Sequence, residues 1–173
     1  MAPERCWSFS RAGENYYYGD RRDVDVGNTE VMARMITDLI DCDVYRIEAA
    51  DPYPAAYDAA VDRNGREQRA DARPAIANPL DSIEQYDTVL IGSPIWNVRT
   101  PMIMSTIAES HDFTGKKVLP FVTYAVSGLG RAAENYAAAC PGAQIDAGLA
   151  VQGEEVRDHS ADVENWLRVA QLL

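Results

Sequence analysis

The first residues with recognisable chemistry lie in the segment SRAGENYYYGDRRDVDVGNT, which runs from Ser10 to Thr29. Ser10 offers a hydroxyl, and two glycines, Gly13 and Gly27, let the backbone approach a ligand closely. Asn28 and Thr29 open a predicted helix, whose N-terminal amides favour an anion. These residues could hold a phosphate without a metal, because the segment has neither the Lys-Ser or Lys-Thr pair of a Walker loop nor a GxGxxG pattern. Taken alone, such a segment is more often an ordinary helix cap than a phosphate site.

Two further groups offer surfaces for a flat ring. The segment GSPIWNVRTPM places Trp96 directly after a predicted buried strand, where an exposed indole is costly unless it packs on something. A heteroaromatic ring would provide that contact, and packing of the indole in the core is the alternative. The segment TYAVSGLGRA adds Thr123, Tyr124 and two glycines before another helix. Its backbone donors and acceptors suit the polar edge of a ring.

Alternating strands and helices must position these groups. The predicted strands are CWSFS (Cys6 to Ser10), DVYRIEAA, TVLIGS, KKVLPFVTYAV and AQIDAGLAV, and the predicted helices are TEVMARMITDL, MIMSTIAES, GRAAENYAAAC and ADVENWLRVAQLL. This alternation predicts an α/β fold with a mostly parallel sheet covered on both faces. Ligands bind such sheets beyond the carboxyl ends of the strands. Residues 51–81, rich in Pro, Ala, Asp and Arg, are expected to form an irregular surface excursion, and Pro120 is awkward inside a central strand.

Composition restricts the partners and the compartment. A length of 173 residues with 47% hydrophobic content predicts one domain spanning 1–173. A net charge of -11 disfavours nucleic acid and anionic membranes, because both would be repelled, and is compatible with a basic protein partner. The three cysteines are odd in number and widely spaced, which favours reduced thiols. Without a recognisable signal peptide or apolar span, we expect a cytoplasmic protein that does not enter the membrane.

Taken in order, the three groups resemble the flavodoxin-like FMN-binding family, in the bacterial branch that carries F-S-R-x-G, then G-N-T, then S-P-I-W or Y-P-I-W. The resemblance runs from about Trp7 to the final helix. It implies a doubly wound, five-stranded parallel sheet of order 2-1-3-4-5 and one bound flavin mononucleotide (FMN). It places Ser10, Arg11, Ala12, Asn28 and Thr29 around the FMN phosphate, Pro94, Ile95, Trp96, Asn97 and Val98 along the isoalloxazine ring and ribityl chain, and Thr123, Tyr124, Ala125 and Gly128 against the ring from the third group.

The chain departs from the shorter family pattern between Gly13 and Gly27. There, residues 14–26 (ENYYYGDRRDVDV) interrupt what is otherwise one continuous turn. Their three tyrosines, Tyr16, Tyr17 and Tyr18, could form a lid over the cofactor or pack as an ordinary loop, and both interpretations stay open. The first strand is also less apolar than the family pattern implies.

The resemblance and the acidic composition favour an FMN-binding electron-transfer protein whose redox partners have basic docking surfaces. One alternative is an FMN-dependent NAD(P)H:quinone or small-molecule oxidoreductase with its substrate under the Tyr-rich loop. Another is a binding module of the same fold that has lost FMN. No residue is predicted to act as a catalytic acid or base, because hydride transfer at a flavin requires none, and no metal site is predicted.

Overall fold

The computed structural model describes residues 3–173. The main sheet contains β1 (Glu4–Ser8), β4 (Cys42–Arg46), β5 (Thr88–Pro94), β6 (Lys117–Tyr124), β7 (Gln144–Ile145) and β8 (Leu149–Gln152). A separate hairpin is formed by β2 (Gly13–Tyr17) and β3 (Asp20–Val24). The helices are α1 (Asn28–Leu39), α2 (Tyr57–Arg69), α3 (Met102–Glu109), α4 (Ala132–Ala139) and α5 (Ser160–Val169), and a 3-10 helix covers Gly153–Asp158. None of the helices within residues 3–173 has the length and apolar composition needed to cross a bilayer.

All strand pairs of the main sheet are parallel, and the spatial order is β4-β1-β5-β6, with β7 and β8 both pairing with the outer side of β6. The strands of the main sheet can be numbered in chain order, without the hairpin and with β7 and β8 counted as one interrupted strand. Their spatial order is then 2-1-3-4-5, so the predicted topology is confirmed. The chain passes from β1 to β4 on one side and returns to β5 on the other. This reversal opens a crevice at the carboxyl ends of β1 and β5.

The core has two halves because successive strand residues point to opposite faces of the sheet. In β1, Cys6 packs with Leu90 of β5 in the half covered by α1 and α5, whereas Trp7 packs with Val89 and Ile91 in the half covered by α3 and α4. Both faces of the central strands are therefore buried. This burial fixes the strand ends firmly enough for their loops to form a site.

Three predicted elements differ from the structure. The first strand lies at Glu4–Ser8, two residues earlier than predicted, and the predicted fifth strand is divided into β7 and β8. Residues 51–81 are not wholly irregular, because they contain α2. Periodicity missed this helix since only Ala60 and Asn64 of α2 are buried, and Gly65 stands in its interior.

Pro120 fits β6 because of the break between β7 and β8. The Val118 carbonyl accepts a hydrogen bond from the Asp146 N–H, so the backbone groups of Val118 face the outer side of β6. Those of Pro120, two residues further on, face the same way. Pairing on that side stops at Ile145 and resumes at Leu149, so no ladder bond is lost where proline has no N–H.

We expect Gly92→Ala to lower the free energy of unfolding by about 1 to 3 kcal/mol, because the new methyl would overpack the core. A Cβ at Gly92 would lie 2.1 Å from the ring of Phe121, its neighbour on β6. The matched control is Gly65→Ala on α2, where the atoms nearest to the new methyl belong to the flexible Arg69 side chain, which can move. It should raise stability by about 0.5 to 1 kcal/mol. Urea unfolding measures both effects, and equal effects would contradict the packing argument.

Candidate functional site: a cleft at the carboxyl ends of three strands

A cleft that is partly open to solvent lies beyond the carboxyl ends of β1, β5 and β6. Ligands of open α/β sheets commonly bind at this place. Most of the predicted site residues line the cleft: Ser10, Arg11, Asn28, Thr29, Pro94, Ile95, Trp96, Thr123, Tyr124 and Ala125. The predicted residues Ala12, Asn97, Val98 and Gly128 are not part of its walls. The three sequence groups therefore converge on one place.

The start of α1 supplies unpaired backbone donors to the cleft. The first intrahelical bond runs from the Val31 N–H to the Gly27 carbonyl at 3.2 Å, so the amides of residues 28–30 have no partner within the helix. The Glu30 N–H donates to the Ser10 hydroxyl at 3.1 Å. The Asn28 and Thr29 amides are left for an anion, together with the helix dipole and the Ser10 hydroxyl proton.

Only glycine at position 27 allows this loop to close on the helix. A Cβ there would lie 2.2 Å from Oγ of Ser10 and 2.8 Å from the Arg11 carbonyl oxygen. Both distances are far below normal contact. A side chain at Gly27 would therefore push the Ser10 hydroxyl away from α1 and open the amide end of the cleft.

Two buried threonines connect the amide end of the cleft to the carboxyl end of β6. The hydroxyls of Thr29 and Thr123 are 2.8 Å apart, and the two residues are 1% and 4% exposed. Each hydroxyl is the other's hydrogen-bond partner in a region that water scarcely reaches. This contact fixes α1 relative to the loop that carries Tyr124.

Trp96 lies at the edge of the core, not inside it. Its indole is partly exposed, lines the cleft, and makes edge contacts with Phe9 and Tyr53 at centroid distances of 5.6 and 5.2 Å. The Tyr53 hydroxyl donates to Glu67 at 2.6 Å, and its burial raises the pKa of Tyr53. The Gln68 side chain donates to the Trp96 carbonyl at 2.9 Å. The indole is therefore held from behind while one part remains open to the cleft.

A tight turn after Trp96 explains the roles of Asn97 and Val98. Backbone bonds between Trp96 and Arg99 close the turn, and the two central residues have φ values of 51° and 68°. Valine rarely adopts a positive φ, so the turn is strained. The Asn97 amide donates to Gln68 at 3.0 Å, and the Val98 carbonyl accepts from the Arg131 N–H at 2.8 Å. These two residues shape the support of Trp96 instead of lining the cleft.

The family model of flavodoxin matches residues 24–169 of this chain. The chain belongs to the flavodoxin family. Similar solved structures include proteins named as flavoproteins from Bacteroides eggerthii (27% identity, TM-score 0.78, 98% of each chain covered) and Bacteroides uniformis (27%, 0.75, 97% of this chain and 99% of that one). A flavoprotein from Lactobacillus acidophilus, solved in complex with FMN, is 19% identical with a TM-score of 0.62 over 91% of this chain and 98% of its own. No curated protein matches.

In this member of the flavodoxin family, residues 14–26 mostly form the β2–β3 hairpin, whose Asn15 and Tyr16 line the cleft. The Arg11 guanidinium holds the base of the hairpin by donating to the carbonyls of Ala55 at 3.2 Å, Ala12 at 3.0 Å and Glu14. Burial lowers the pKa of Arg11. The Arg11 side chain, which the resemblance places at the phosphate, thus donates three hydrogen bonds to backbone carbonyls.

The cleft also contains residues outside the predicted binding set: Asn15, Tyr57, Gly153, Glu154, and Tyr16 of the segment for which a lid was one interpretation. Gly153 and Glu154 directly follow β8. The other groups were predicted because they follow the carboxyl ends of strands, and the same argument applies to these two residues. Asn15 and Tyr57 gave no local signal, because docking of the hairpin and α2 brings them there. Oε2 of Glu154 is buried without a hydrogen-bond partner in the described part of the chain.

The Thr29–Thr123 contact can be tested with a double-mutant cycle. We expect Thr123→Val to cost about 1 to 2 kcal/mol of unfolding free energy, because it leaves the Thr29 hydroxyl buried and unpaired. Thr29→Val should cost a similar amount, and the double variant should cost clearly less than the sum of both. Urea unfolding of the four proteins gives the coupling energy. Simple additivity would show that the two hydroxyls do not depend on each other.

Proposed function

We propose that this protein binds one FMN non-covalently in the cleft and transfers electrons between redox proteins. The observation that carries the proposal is the convergence, in one cleft, of the α1 amides with Ser10 and of the aromatic side chains Trp96 and Tyr124. The first group suits a phosphate, and the second suits a planar ring. Membership of the flavodoxin family supports the same ligand.

The amide end of the cleft fits the phosphate of FMN. The Asn28 and Thr29 amides and the Ser10 hydroxyl would donate to its oxygens, and no metal is required. Glycine at position 153 keeps this end compact, because a Cβ there would lie 2.5 Å from Nδ2 of Asn28. The neighbouring Glu154 carboxylate would repel the phosphate. The attraction for the phosphate must therefore come from the backbone donors and the helix dipole.

The aromatic end of the cleft fits the flavin ring. Trp96 and Tyr124 would contact the ring faces, while Pro94, Ile95 and Ala125 provide apolar or backbone contacts that exclude water. FMN, when bound, supplies one- and two-electron redox chemistry, which side chains alone cannot provide. The residues of the chain bind and orient the ring and set the polarity around it.

The charge of the protein favours a basic redox partner. A net charge of -11 attracts positively charged surfaces over distances of about a Debye length and disfavours a reduced, anionic ring. Val98 and Val126, which are 49% and 79% exposed, follow Trp96 and Tyr124 closely in the chain. They would give such a partner apolar contact beside the ring.

We expect the protein to bind FMN with a 1:1 stoichiometry and to quench its fluorescence, because the ring would stack on aromatic side chains. Gly27→Ala should weaken binding at least about tenfold, since the methyl would displace Ser10 from the amide end. Gly65→Ala on α2 introduces the same methyl outside the cleft and should leave affinity unchanged. Fluorescence titration measures all three proteins. A folded wild-type protein that takes up no FMN would instead be a binding module of this fold.

Electron transfer and two-electron catalysis can be distinguished on the FMN-loaded protein. As an electron carrier, it should accept electrons in two separate one-electron steps during an anaerobic dithionite titration followed by absorbance. It should not oxidise NADH or NADPH at a steady rate with a quinone unless a reductase is added. The cleft-lining Tyr16 is the feature that favours the oxidoreductase alternative, because it could cover a small substrate. Sustained NAD(P)H oxidation without a reductase would establish that alternative.

A further inference from the structure

Two of the three cysteines lie side by side on neighbouring strands. Cys6 is in the middle of β1, and Cys42 begins β4. In the parallel register of these strands, Cys42 lies opposite Glu4, two residues before Cys6. Alternate residues of a strand point to the same face, so both thiols face the half of the core that α1 and α5 cover. There the two side chains are in hydrogen-bond contact, and we call them the thiol pair.

The two members of the thiol pair differ in their access to solvent. Cys6 is 1% exposed, whereas Cys42 is partly exposed at the start of β4, which is an edge strand of the main sheet. A small solute can therefore reach the sulfur of Cys42 but not that of Cys6. Because Cys42 is at the amino end of its strand, the thiol pair lies at the end of the sheet opposite the cleft.

The buried thiol stabilises the ionised form of the accessible one. When Cys42 is a thiolate, the Cys6 S–H can donate to its sulfur. This hydrogen bond lowers the pKa of Cys42, and the same bond together with burial raises the pKa of Cys6 well above its ordinary value. Cys6 therefore keeps its proton while Cys42 loses one. The thiolate is the nucleophilic form of cysteine, so the geometry makes Cys42 the reactive member of the pair.

The surroundings of Cys42 are acidic. Within residues 3–173, the charged groups that act on it are the carboxylates of Glu4 on β1 and of Asp41 and Asp43 beside it in the chain. These charges and partial burial raise the pKa of Cys42, against the larger effect of the Cys6 hydrogen bond. They also repel anionic solutes. A reagent that reaches this thiolate is consequently favoured if it is small and uncharged.

We propose that Cys42 is an oxidation site for hydrogen peroxide and similar small, neutral peroxides, with Cys6 as the positioning residue that donates to its sulfur. The thiolate sulfur attacks one peroxide oxygen, so that an S–O bond forms and the O–O bond breaks. The sulfur loses two electrons and becomes a sulfenic acid, and the second oxygen leaves as hydroxide, which solvent protonates to water. The inference goes beyond the proposed function and does not depend on bound FMN.

The site of oxidation can be located on the full-length, reduced protein. We expect hydrogen peroxide with dimedone present throughout to give a sulfenic-acid adduct on Cys42, identified by peptide mass spectrometry. Cys140 is the internal control, because it is 1% exposed and burial raises its pKa to about 12. Its adduct should form at least about tenfold more slowly. No oxidation of Cys42, or equal labelling of Cys140, would overturn the proposal.

The Cys6→Ser variant guards against loss of the adduct in a second step. In the wild type, the Cys6 thiol can attack the sulfenic acid of Cys42, releasing water and forming a disulfide. A disulfide between these two residues has the same first step and supports the proposal. Serine cannot form it, so Cys6→Ser should then accumulate the dimedone adduct on Cys42.

The positioning role of Cys6 is tested by the pH dependence of alkylation. Cys6→Ala removes the donor, whereas Cys6→Ser replaces the S–H with an O–H donor. We expect the midpoint of the rate of Cys42 alkylation by iodoacetamide to rise by about one pH unit in the alanine variant and to stay near the wild-type value in the serine variant. A cavity alone would change access and the plateau rate at high pH, not the midpoint. Equal midpoints in all three proteins would refute the role of Cys6.

The preference for neutral reagents has its own measurement. Iodoacetamide is uncharged and iodoacetate is an anion, and both react with the same thiolate. We expect the rate ratio of iodoacetamide to iodoacetate at Cys42 to exceed that of free cysteine about threefold, because the three carboxylates repel the anion. Glu4→Gln should bring the ratio closer to that of free cysteine. A wild-type ratio equal to that of free cysteine would contradict selection by charge.

Discussion

The structure depends on how the first turn of α1 is held. Its amides cannot bond within the helix, and among residues 3–173 the Glu30 N–H alone has a partner, the Ser10 hydroxyl. Gly27 permits this approach, and the Thr29–Thr123 hydroxyl contact fixes the turn relative to β6. The remaining amides open into the cleft, where an anion is the chemically matched partner. The cleft is therefore a consequence of the way the helix start is packed, and its charge preference follows from the backbone.

The parallel sheet makes this arrangement possible, because it brings loops that are distant in sequence to one edge. Alternate residues of β1 and β5 are buried on both faces, so their ends move little relative to one another. The turn after Trp96 is attached to the end of β5 and depends on its fixed position. It holds Val98 at a φ that valine rarely adopts, at a cost of about 1 to 3 kcal/mol, and the bonds from Gln68 and Arg131 offset that cost. A looser support would let the turn relax and the indole swing away from the cleft.

The sheet order could be predicted from the sequence through the family resemblance. Most of the predicted site residues line the observed cleft, because they follow the carboxyl ends of strands, where ligands of such sheets bind. What the sequence could not reveal depends on tertiary contacts. α2 buries only Ala60 and Asn64, which is too weak a pattern to recognise. Residues 14–26 form a hairpin because Tyr18 and Gly19 both adopt positive φ, and nothing in the local sequence requires a tyrosine to do so. Arg11 was predicted to face a phosphate, yet its environment is set by carbonyls from residues 12, 14 and 55, which no spacing could have indicated.

Two features beside or within the cleft are costly in the protein alone: the strained Val98 backbone in the turn after Trp96, and the buried Oε2 of Glu154, which has no hydrogen-bond partner among residues 3–173. Neither stabilises the fold, and a carboxylate near helix amides weakens their attraction for an anion. Local violations of this kind are expected where function, and not stability, determines the residue. Val98 shapes the turn that presents the indole, and Oε1 of Glu154 accepts a hydrogen bond from the Tyr18 N–H at the tip of the hairpin. Both costs therefore arise in groups that shape the boundaries of one cleft.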